Sequence, residues 1–411
     1  MTIDSCLAQL RAHLERGRYA AKVADRCLAV AGYFLRFLDK KQVPIEAAQQ
    51  EHVQAYLQEA LRVYRRRHGR PPSIEAGWRR SHTNGVQMLL RLVQRRWPPE
   101  PVPANPLQQF HARLCNEYVQ WLTESRGLAA ETVSGHHGLA SRLLTWLGER
   151  AASAALPQLT IEDIDSFVEM QATGLRRTTR KSMALYLRSF LRYLHGRGLL
   201  HRDLSTAIIA PRVYALENIP SALSVEDVRA VLNTARQEGS AKGLRDFAIL
   251  TLLSTYGLRA GEITALRLDD IDWRREQVRV RNSKTSHETL LPLVKPVGDA
   301  LLEYLQKGRP KVAAREIFIR VRAPYRPFQN GSSLYSGIVR HLERAGVKWQ
   351  GRHGPHAFRH ARAVSLLRAA IPSKVIGDLL GHRASGSTAV YLKLATEDLR
   401  KIPLDEPEVK S

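Results

Sequence analysis

The stretch "LRDFAILTLLSTYGLRAGEI", residues 244–263, decides the fold of the C-terminal part of the chain. Its apolar residues recur densely up to Tyr256 and predict a buried helix, and Gly257 is the residue type that most readily ends one. Arg259 follows this break directly, with Glu262 three residues later. An arginine and a glutamate at this spacing are most often an exposed ion pair, so the pair alone indicates no function.

A small sheet follows the helix in the sequence. Residues 276–281, "EQVRVR", and 288–294, "ETLLPLV", alternate in polarity like the two strands of a hairpin. Lys284 lies in the connection between them, where most lysines are merely exposed to solvent. Helical patterns resume after the hairpin and continue towards the C-terminus. We therefore predict an α+β domain with a small antiparallel sheet.

Four more residues that could take part in chemistry lie in the last sixty positions of the chain. His356 and Arg359, in "HAFRH", share one face if the segment is helical. His382 follows Gly381, a predicted helix-ending position, in "LLGH", and Tyr391 lies in "TAVY". Each has an ordinary structural explanation when taken singly, as a packed or capping histidine or an amphipathic tyrosine.

Two proline-rich joints divide the chain. The first is "WPPEPVPANP" at 97–106, which cannot continue a helix, and the second is "IIAPRVYALENIPSAL" at 208–223. After the second joint, Ser224 and Asp227 have the spacing of a capping box for a new helix. We predict a helical domain at 1–98, a linker at 99–106, a helical domain at 107–207, a linker at 208–220 and the mixed domain at 221–411.

The two helical segments resemble each other in sequence. "EHVQAYL" at 51–57 matches "EDIDSFV" at 162–168, and "RSHTNGVQMLLRLV" at 80–93 matches "KSMALYLRSFLRYL" at 181–194. The offset falls from 111 to 101 residues, which predicts extra loop residues at 65–73 of the first copy. Each copy also carries a basic cluster, a pattern that suggests contact with a nucleic-acid backbone. The clusters are Arg65, Arg66, Arg67 and Arg70 in the first copy, and Arg176, Arg177, Arg180 and Lys181 in the second.

The composition narrows the class of protein. The chain of 411 residues has 63 Lys+Arg against 39 Asp+Glu, a net charge of +24, which favours a polyanionic partner such as nucleic acid. The three cysteines are scattered, so neither a disulfide framework nor a zinc site is expected. No signal peptide or membrane span is expected, and we predict a cytoplasmic, nucleoid-associated protein.

The polar residues of the mixed domain gain meaning when they are taken together. Arginine, lysine and histidine side chains can bind a phosphodiester and stabilise its pentacoordinate transition state without a metal ion. A tyrosine hydroxyl is a weak nucleophile at its free pKa of about 10, and cationic surroundings would activate it. Lysine suits the protonation of a leaving oxygen, since its proton can be transferred.

The motifs "TYGLRAGEI", "VRNSKT", "HAFRH", "LLGH" and "TAVY" resemble those of the tyrosine recombinases, the phage-integrase and Xer-type enzymes, in order and spacing. The resemblance implies mainly helical DNA-binding domains, of the core-binding type, followed by an α+β catalytic domain. It implies that Arg259 and Arg359 clamp the scissile phosphate and that His356 and His382 bond to it. Lys284 would be the general acid and Tyr391 the nucleophile of a 3′-phosphotyrosyl link. Glu262 would support Arg259.

The resemblance predicts a site-specific DNA recombinase, the integrase or transposase of a mobile element. Its partners would be double-stranded attachment sites, further copies of the chain in a tetramer, and accessory DNA-bending or directionality factors. No cofactor or metal is expected, because bond energy would be stored in the covalent intermediate. The alternatives are a Xer-type dimer resolvase, a type IB-like topoisomerase, and a non-catalytic DNA-binding protein.

Two further points stay open at the level of sequence. The first helical domain could bind accessory arm sites, or it could lengthen the clamp on the core site. The tail after Tyr391 could pack on its own protomer or on a neighbour.

Overall fold

The structure is a computed structural model that describes residues 1–99, 103–213, 223–281, 288–348 and 354–381. Two compact units divide the chain: Met1–Pro99 with Asn218–Ser411 form one, and Glu100–Glu217 form the other. Helices dominate the described residues, and a small three-stranded antiparallel sheet accompanies them. The predicted fold class is confirmed. No described helix is long and apolar enough to cross a membrane.

The first 99 residues contain four helices. They are α1 Ile3–Arg16, α2 Ala21–Lys40, α3 Gln50–His68 and α4 Glu75–Gln94. Helix α2 packs against both α1 and α4. The shared core includes Phe34, Leu38 and Leu89, each at most 2% exposed. Their burial gives this segment a hydrophobic core of its own.

The second compact unit repeats this arrangement. Its helices are α5 Pro106–Glu124, α6 Ala130–Leu147, α7 Ile161–Ala172 and α8 Arg177–Gly196. Helix α6 packs against α5 and α8, as α2 packs against α1 and α4. A short 3-10 turn precedes both α3 and α7, at Ile45–Ala47 and Leu156–Gln158. The matching order of elements agrees with the internal similarity of the sequence.

The extra residues of the first copy do not form a longer loop alone, and that expectation was wrong. Helix α3 has 19 residues where α7 has 12, so most of the insertion extends the helix. Residues 65–68, "RRRH", form its last turn because arginine is a good helix former. Gly69, with φ of +65°, then ends it.

The mixed segment begins with α9 Val225–Gln237, α10 Ala241–Tyr256 and α11 Ala260–Ala265. The sheet follows, with β1 Ile271–Asp272, β2 Gln277–Arg281 and β3 Glu288–Pro292. Four helices complete the described part: α12 Lys295–Glu303, α13 Tyr335–Arg344, α14 Pro355–Arg368 and α15 Ser373–Leu379. Helix α10 is the central element, packing against α9, α12 and α14.

The predicted hairpin is confirmed as β2 and β3, which pair antiparallel from Gln277↔Pro292 to Arg281↔Glu288. The short strand β1 was not predicted, since a pair of residues carries no periodic signal. The Tyr256 hydroxyl donates a hydrogen bond to the Pro292 carbonyl and accepts one from the Val294 amide. These bonds join the end of α10 to the end of the hairpin.

The predictions for three helix termini are also confirmed. The Ser224 side chain accepts from the Asp227 amide, and the Asp227 carboxylate accepts from the Ser224 amide, which completes the predicted capping box. Gly257 ends α10 with φ of +68°, and Gly381 follows α15 with φ of +63°. Left-handed backbone of this kind favours glycine, which explains its use at both ends.

Candidate active site

The left-handed bend at Gly257 places Arg259 at the start of α11. The Arg259 amide donates to Glu262 Oε2 at 2.7 Å, and Arg259 Nη1 donates to Glu262 Oε1 at 2.8 Å. The Glu262 side chain is 5% exposed, whereas that of Arg259 is 28% exposed. The buried Glu262 therefore holds the Arg259 guanidinium in place and leaves part of it exposed to solvent.

Arg359 lies one turn into α14 and is only 5% exposed. Its Nη1 donates to the Gly257 carbonyl at 2.8 Å, and its Nη2 donates to the Leu380 carbonyl. A buried guanidinium needs such partners, because an unpaired buried charge is costly. Arg359 thus bridges the bend before Arg259 and the end of α15.

Arg259 reaches the same end of α15. Its Nη2 donates to the Gly381 carbonyl at 2.9 Å. The two arginines, 100 positions apart in the chain, therefore hold successive carbonyls at Leu380 and Gly381. The next residue in the chain is His382.

The approach of these segments depends on the missing side chain at Gly257. A Cβ atom built there would lie 2.7 Å from Leu380 Cδ2 and 3.5 Å from Arg362 Cβ. Carbon atoms in contact normally stay near 3.5–4.0 Å apart, so no larger residue fits without movement. Gly257 therefore serves both the turn after α10 and the close approach of Leu380, the residue that follows α15.

His356 lies in the first turn of α14 and is exposed, while Arg359 on the same helix is buried. The predicted helix is confirmed, but its histidine and arginine meet different environments. The His356 ring lies 6.4 Å from that of His360. Arg362 is a further cation here: its buried Nε has no hydrogen-bond partner in the described part of the chain, and burial lowers the pKa of its guanidinium.

Three of the predicted catalytic residues, Lys284, His382 and Tyr391, lie outside the described residues. The described chain reaches the flanks of two of them. Arg281 and Glu288 are paired on either side of the segment that contains Lys284. Gly381 is the residue before His382.

The predicted DNA-binding residues lie at helix ends and are all exposed. Arg65, Arg66 and Arg67 form the last turn of α3, and Arg70 follows Gly69. Arg65 Nη2 lies 3.2 Å from Glu75 Oε2 in an exposed ion pair. Arg176 is the N-cap of α8, and Arg177, Arg180 and Lys181 follow in its first turns.

The basic start of α8 opposes the helix dipole. The macrodipole favours anions at an N-terminus, yet the first turn of α8 has no acidic residue. A helix N-terminus that carries cations and no acidic side chain is an arrangement that a phosphate can approach. The arrangement costs helix stability, which favours a binding role over a solvated surface.

Sequence reasoning found Glu262 as the partner of Arg259 but missed the backbone carbonyls that both arginines bind. Backbone carbonyls carry no residue signature, so the contacts to Gly257, Leu380 and Gly381 were not predictable from side-chain types. It also left Arg79 and Arg80 of α4 out of the first basic cluster, and Arg79 pairs with Glu75. The offset of 101 residues could have found them, since it aligns them with Arg180 and Lys181.

Arg259 and Arg359 both bind the end of α15. Their contacts bring together three of the motifs that resemble those of the tyrosine recombinases, "TYGLRAGEI", "HAFRH" and "LLGH". Residues 221–398 match the phage integrase family. A protein of Sinorhizobium fredii named as an integrase/recombinase, y4rA, is 35% identical over 71% of this chain and 70% of its own length. The chain belongs to the phage integrase family. It is a tyrosine recombinase, an enzyme that cleaves and rejoins DNA.

Other relatives and structures agree with this family. The protein y4gC of the same organism, also named as an integrase/recombinase, is 59% identical over 46% of this chain and 97% of its own length. The tyrosine recombinase XerC of a Mycobacterium species is 28% identical over 69% of this chain and 94% of its own. A XerH recombinase structure shares the fold, with a TM-score of 0.55, 15% identity, and coverage of 73% of this chain and 89% of that one.

Proposed function

We propose that the chain is the site-specific recombinase of a mobile element and acts through Tyr391. The Tyr391 hydroxyl would attack the scissile phosphate, forming a 3′-phosphotyrosyl link and releasing a 5′-hydroxyl. A histidine at the phosphate, His356 or His382, would take the proton of the Tyr391 hydroxyl, and Lys284 would give its own proton to the leaving 5′ oxygen; both transfers reverse when the partner strand attacks. The 5′-hydroxyl of a partner duplex then attacks the phosphotyrosine, which restores the phosphodiester and frees Tyr391. No phosphodiester bond is hydrolysed in this exchange, so its energy is conserved in the phosphotyrosyl link.

The observation that carries the proposal is the convergence of Arg259 and Arg359 on the end of α15. Two fixed guanidiniums match the two non-bridging oxygens of a phosphodiester, and they stabilise the charge that grows there in the transition state. Their shared contact with Leu380 and Gly381 would carry His382 to the same phosphate. His356, exposed one turn before Arg359, would supply the remaining hydrogen bond.

Similar proteins support the mobile-element role and the partners. The integrase of the Tn1549 transposon, solved with a circular intermediate DNA, has a TM-score of 0.51 and covers 70% of this chain at 16% identity. Lambda integrase, solved as a tetramer on a Holliday junction, has a TM-score of 0.53. We propose double-stranded attachment sites and a tetramer for this chain also, with accessory DNA-bending or directionality factors. Its place would be the cytoplasm, at the nucleoid.

The same proposal assigns three functional domains. Separate hydrophobic cores at residues 6–97, 114–208 and 223–358 support a first helical domain, a second helical domain and a catalytic domain. The two helical domains would hold the DNA through their basic clusters. The third would cut it.

Trapping of the covalent intermediate tests the mechanism. A duplex containing the end of the element, nicked near the cleavage site so that the short strand diffuses away, is incubated with full-length protein. We expect an SDS-resistant adduct with wild type and none with Tyr391→Phe, because only the hydroxyl can form the ester. Formation of Holliday junctions from two duplexes would then report strand exchange rather than relaxation.

Matched controls exclude trivial results. Tyr335→Phe removes a hydroxyl from an exposed tyrosine at the start of α13 and should leave the adduct intact. Equal adducts from wild type and Tyr391→Phe would show that another residue is the nucleophile. Absence of adduct from wild type on a verified site would contradict the proposal as a whole.

A further inference from the structure

A cavity lies where the first helical segment meets the catalytic segment, within one compact unit of the structure. Its volume is about 260 Å³, and the end of α1 forms one wall while residues 312–326 of the catalytic segment form the other. Four side chains that can carry positive charge line it. They are His13, Arg16, Arg18 and Arg326.

The charge in this cavity is unbalanced. Among the described residues that line it, none is a carboxylate. Burial lowers the pKa of His13, and the positive charges of Arg326 and Arg16 lower it further. Like charges held this close repel one another, so an anion bound between them would relieve the repulsion.

Specific contacts hold the two walls together. Arg18 Nη1 donates to the Lys311 carbonyl at 3.0 Å, and its guanidinium lies 5.4 Å from the centroid of the Tyr325 ring. Arg18 has φ of +56°, a left-handed conformation that is costly for arginine. The backbone thus turns this side chain towards the catalytic segment, and the cationic lining is part of a defined junction.

The cationic surface continues beyond this cavity. The Arg320 amide donates to the Arg326 carbonyl at 2.9 Å, which closes a short loop whose three arginines, Arg320, Arg322 and Arg326, are exposed. A second cavity, of about 300 Å³, includes Arg320 and Arg322 of this loop in its lining. Arg340 and Lys242 line it too, and both pair with Asp246. Asp246 is the one carboxylate in the described lining of this second cavity.

We propose that the junction cavity and the loop Arg320–Arg326, with its exposed arginines, form a composite binding site for the phosphates of duplex DNA. The inference rests on the proposed function and deepens it. It assigns the first helical domain to the same duplex as the catalytic domain, as a longer clamp on the core site. The site is separate from the Arg259 and Arg359 pair, and it requires both walls of the junction.

Neutral substitution on both walls tests the site. Full-length Arg16→Gln/Arg326→Gln is compared with wild type in binding to a mixed-sequence duplex, measured by fluorescence anisotropy across salt concentrations. We expect binding about tenfold weaker near 0.1 M salt, and a dependence of log K on log salt that is shallower by about 2. Arg16→Lys/Arg326→Lys keeps the charge and should restore most of the affinity.

A control variant removes equal charge elsewhere. Lys295→Gln/Lys307→Gln lies on and after α12, where both lysines are exposed and paired with carboxylates, and it should bind DNA like wild type. The proposal would be overturned if Arg16→Gln/Arg326→Gln and Lys295→Gln/Lys307→Gln bound DNA with equal affinity and equal salt dependence. Loss of self-association with unchanged DNA binding would also overturn it, in favour of a protein partner at the junction.

The adduct assay separates this proposal from the proposed function. Arg16→Gln/Arg326→Gln should need about tenfold more protein to reach half of the maximal Tyr391-dependent adduct, because weaker DNA binding shifts the titration while the phosphate clamp is untouched. A wild-type adduct with no binding defect in the variant contradicts only the junction site. A binding defect in a protein that never forms an adduct contradicts only the recombinase mechanism.

Discussion

At the scale of single residues, the site depends most on the lack of a side chain at Gly257. Gly257 combines a positive φ with a neighbour, Leu380, that leaves no room for a Cβ atom. The same residue supplies the carbonyl that holds Arg359. Gly257 therefore determines both the bend before Arg259 and the position of Leu380 at the end of α15.

Substitution by alanine separates the two roles of Gly257. Gly198→Ala is the matched control, since Gly198 has φ of +71° but no atom within 4 Å of the added Cβ. The control should lower the free energy of unfolding by about 1 kcal/mol, through backbone strain alone. Gly257→Ala should lose about 1–3 kcal/mol more through overpacking.

Chemical denaturation measures both values, and the adduct assay measures the effect on the site. We expect Gly257→Ala to lose adduct formation and Gly198→Ala to keep it. Equal stability losses in the two variants would show that Leu380 moves aside freely.

Among the elements, α10 depends on a buried charge network that does not enter the reaction. Asp246 lies in the first half of the helix with its side chain 7% exposed, and Arg245 Nη2 lies 2.7 Å from its Oδ1. His341 Nε2, on α13, lies 3.1 Å from its Oδ2. Burial alone would raise the pKa of Asp246, but the hydrogen bond from His341 and the charge of Arg245 outweigh it, and the pKa is lowered.

Asp246→Asn should destabilise the catalytic segment by about 3 kcal/mol at neutral pH, since it leaves Arg245 without its counter-ion. A carboxyl whose pKa is lowered by folding stabilises the protein above its unfolded pKa of about 3.9 and loses that contribution as the pH falls. The difference between wild type and variant should therefore shrink below pH of about 4. Urea unfolding across pH measures it.

The control for this prediction is Asp299→Asn, which removes an exposed carboxylate paired with Lys295 on α12. Exposed pairs of this kind contribute little, so a small change is expected. A constant difference between wild type and Asp246→Asn down to low pH would contradict the lowered pKa.

Local signals explain how much of these elements the sequence could predict. The capping box at Ser224, the glycine after α10 and the β2–β3 hairpin each depend on residues a few positions apart. The Asp246–His341 contact joins residues 95 positions apart, and the contacts of Arg359 with Gly257 and Leu380 involve carbonyls. Such contacts follow from the packing of helices, which no local pattern encodes. The extra residues at 65–73 were wrongly predicted to be loop because an insertion in an alignment does not reveal its conformation.

For the whole molecule, DNA binding and folding stability should change in opposite directions at α8. Replacing Arg176, Arg177, Arg180 and Lys181 by glutamine removes cations from a helix N-terminus. Because the dipole disfavours them there, the free protein should gain about 0.3 kcal/mol per charge. The slope of log K against log salt for duplex DNA should become shallower by about 3 if these residues contact phosphates.

Arg65→Gln/Arg66→Gln/Arg67→Gln provides the contrast, because these cations lie at the C-terminal end of α3, where the dipole favours them. Both stability and DNA binding should fall in that variant. Thermal unfolding and anisotropy titrations distinguish the two patterns. Unchanged salt dependence in the α8 variant would show that its cluster is a solvated surface.

The three largest hydrophobic cores of the described residues have a consequence for the descent of the chain. Each is completed by side chains from one continuous stretch, at 6–97, 114–208 and 223–358. A tandem duplication of the gene segment for one helical domain would therefore add a core without rebuilding the others. The contacts of the first domain with the catalytic segment, such as those of Arg18 with Lys311 and Tyr325, lie outside its core and would arise afterwards without disturbing it.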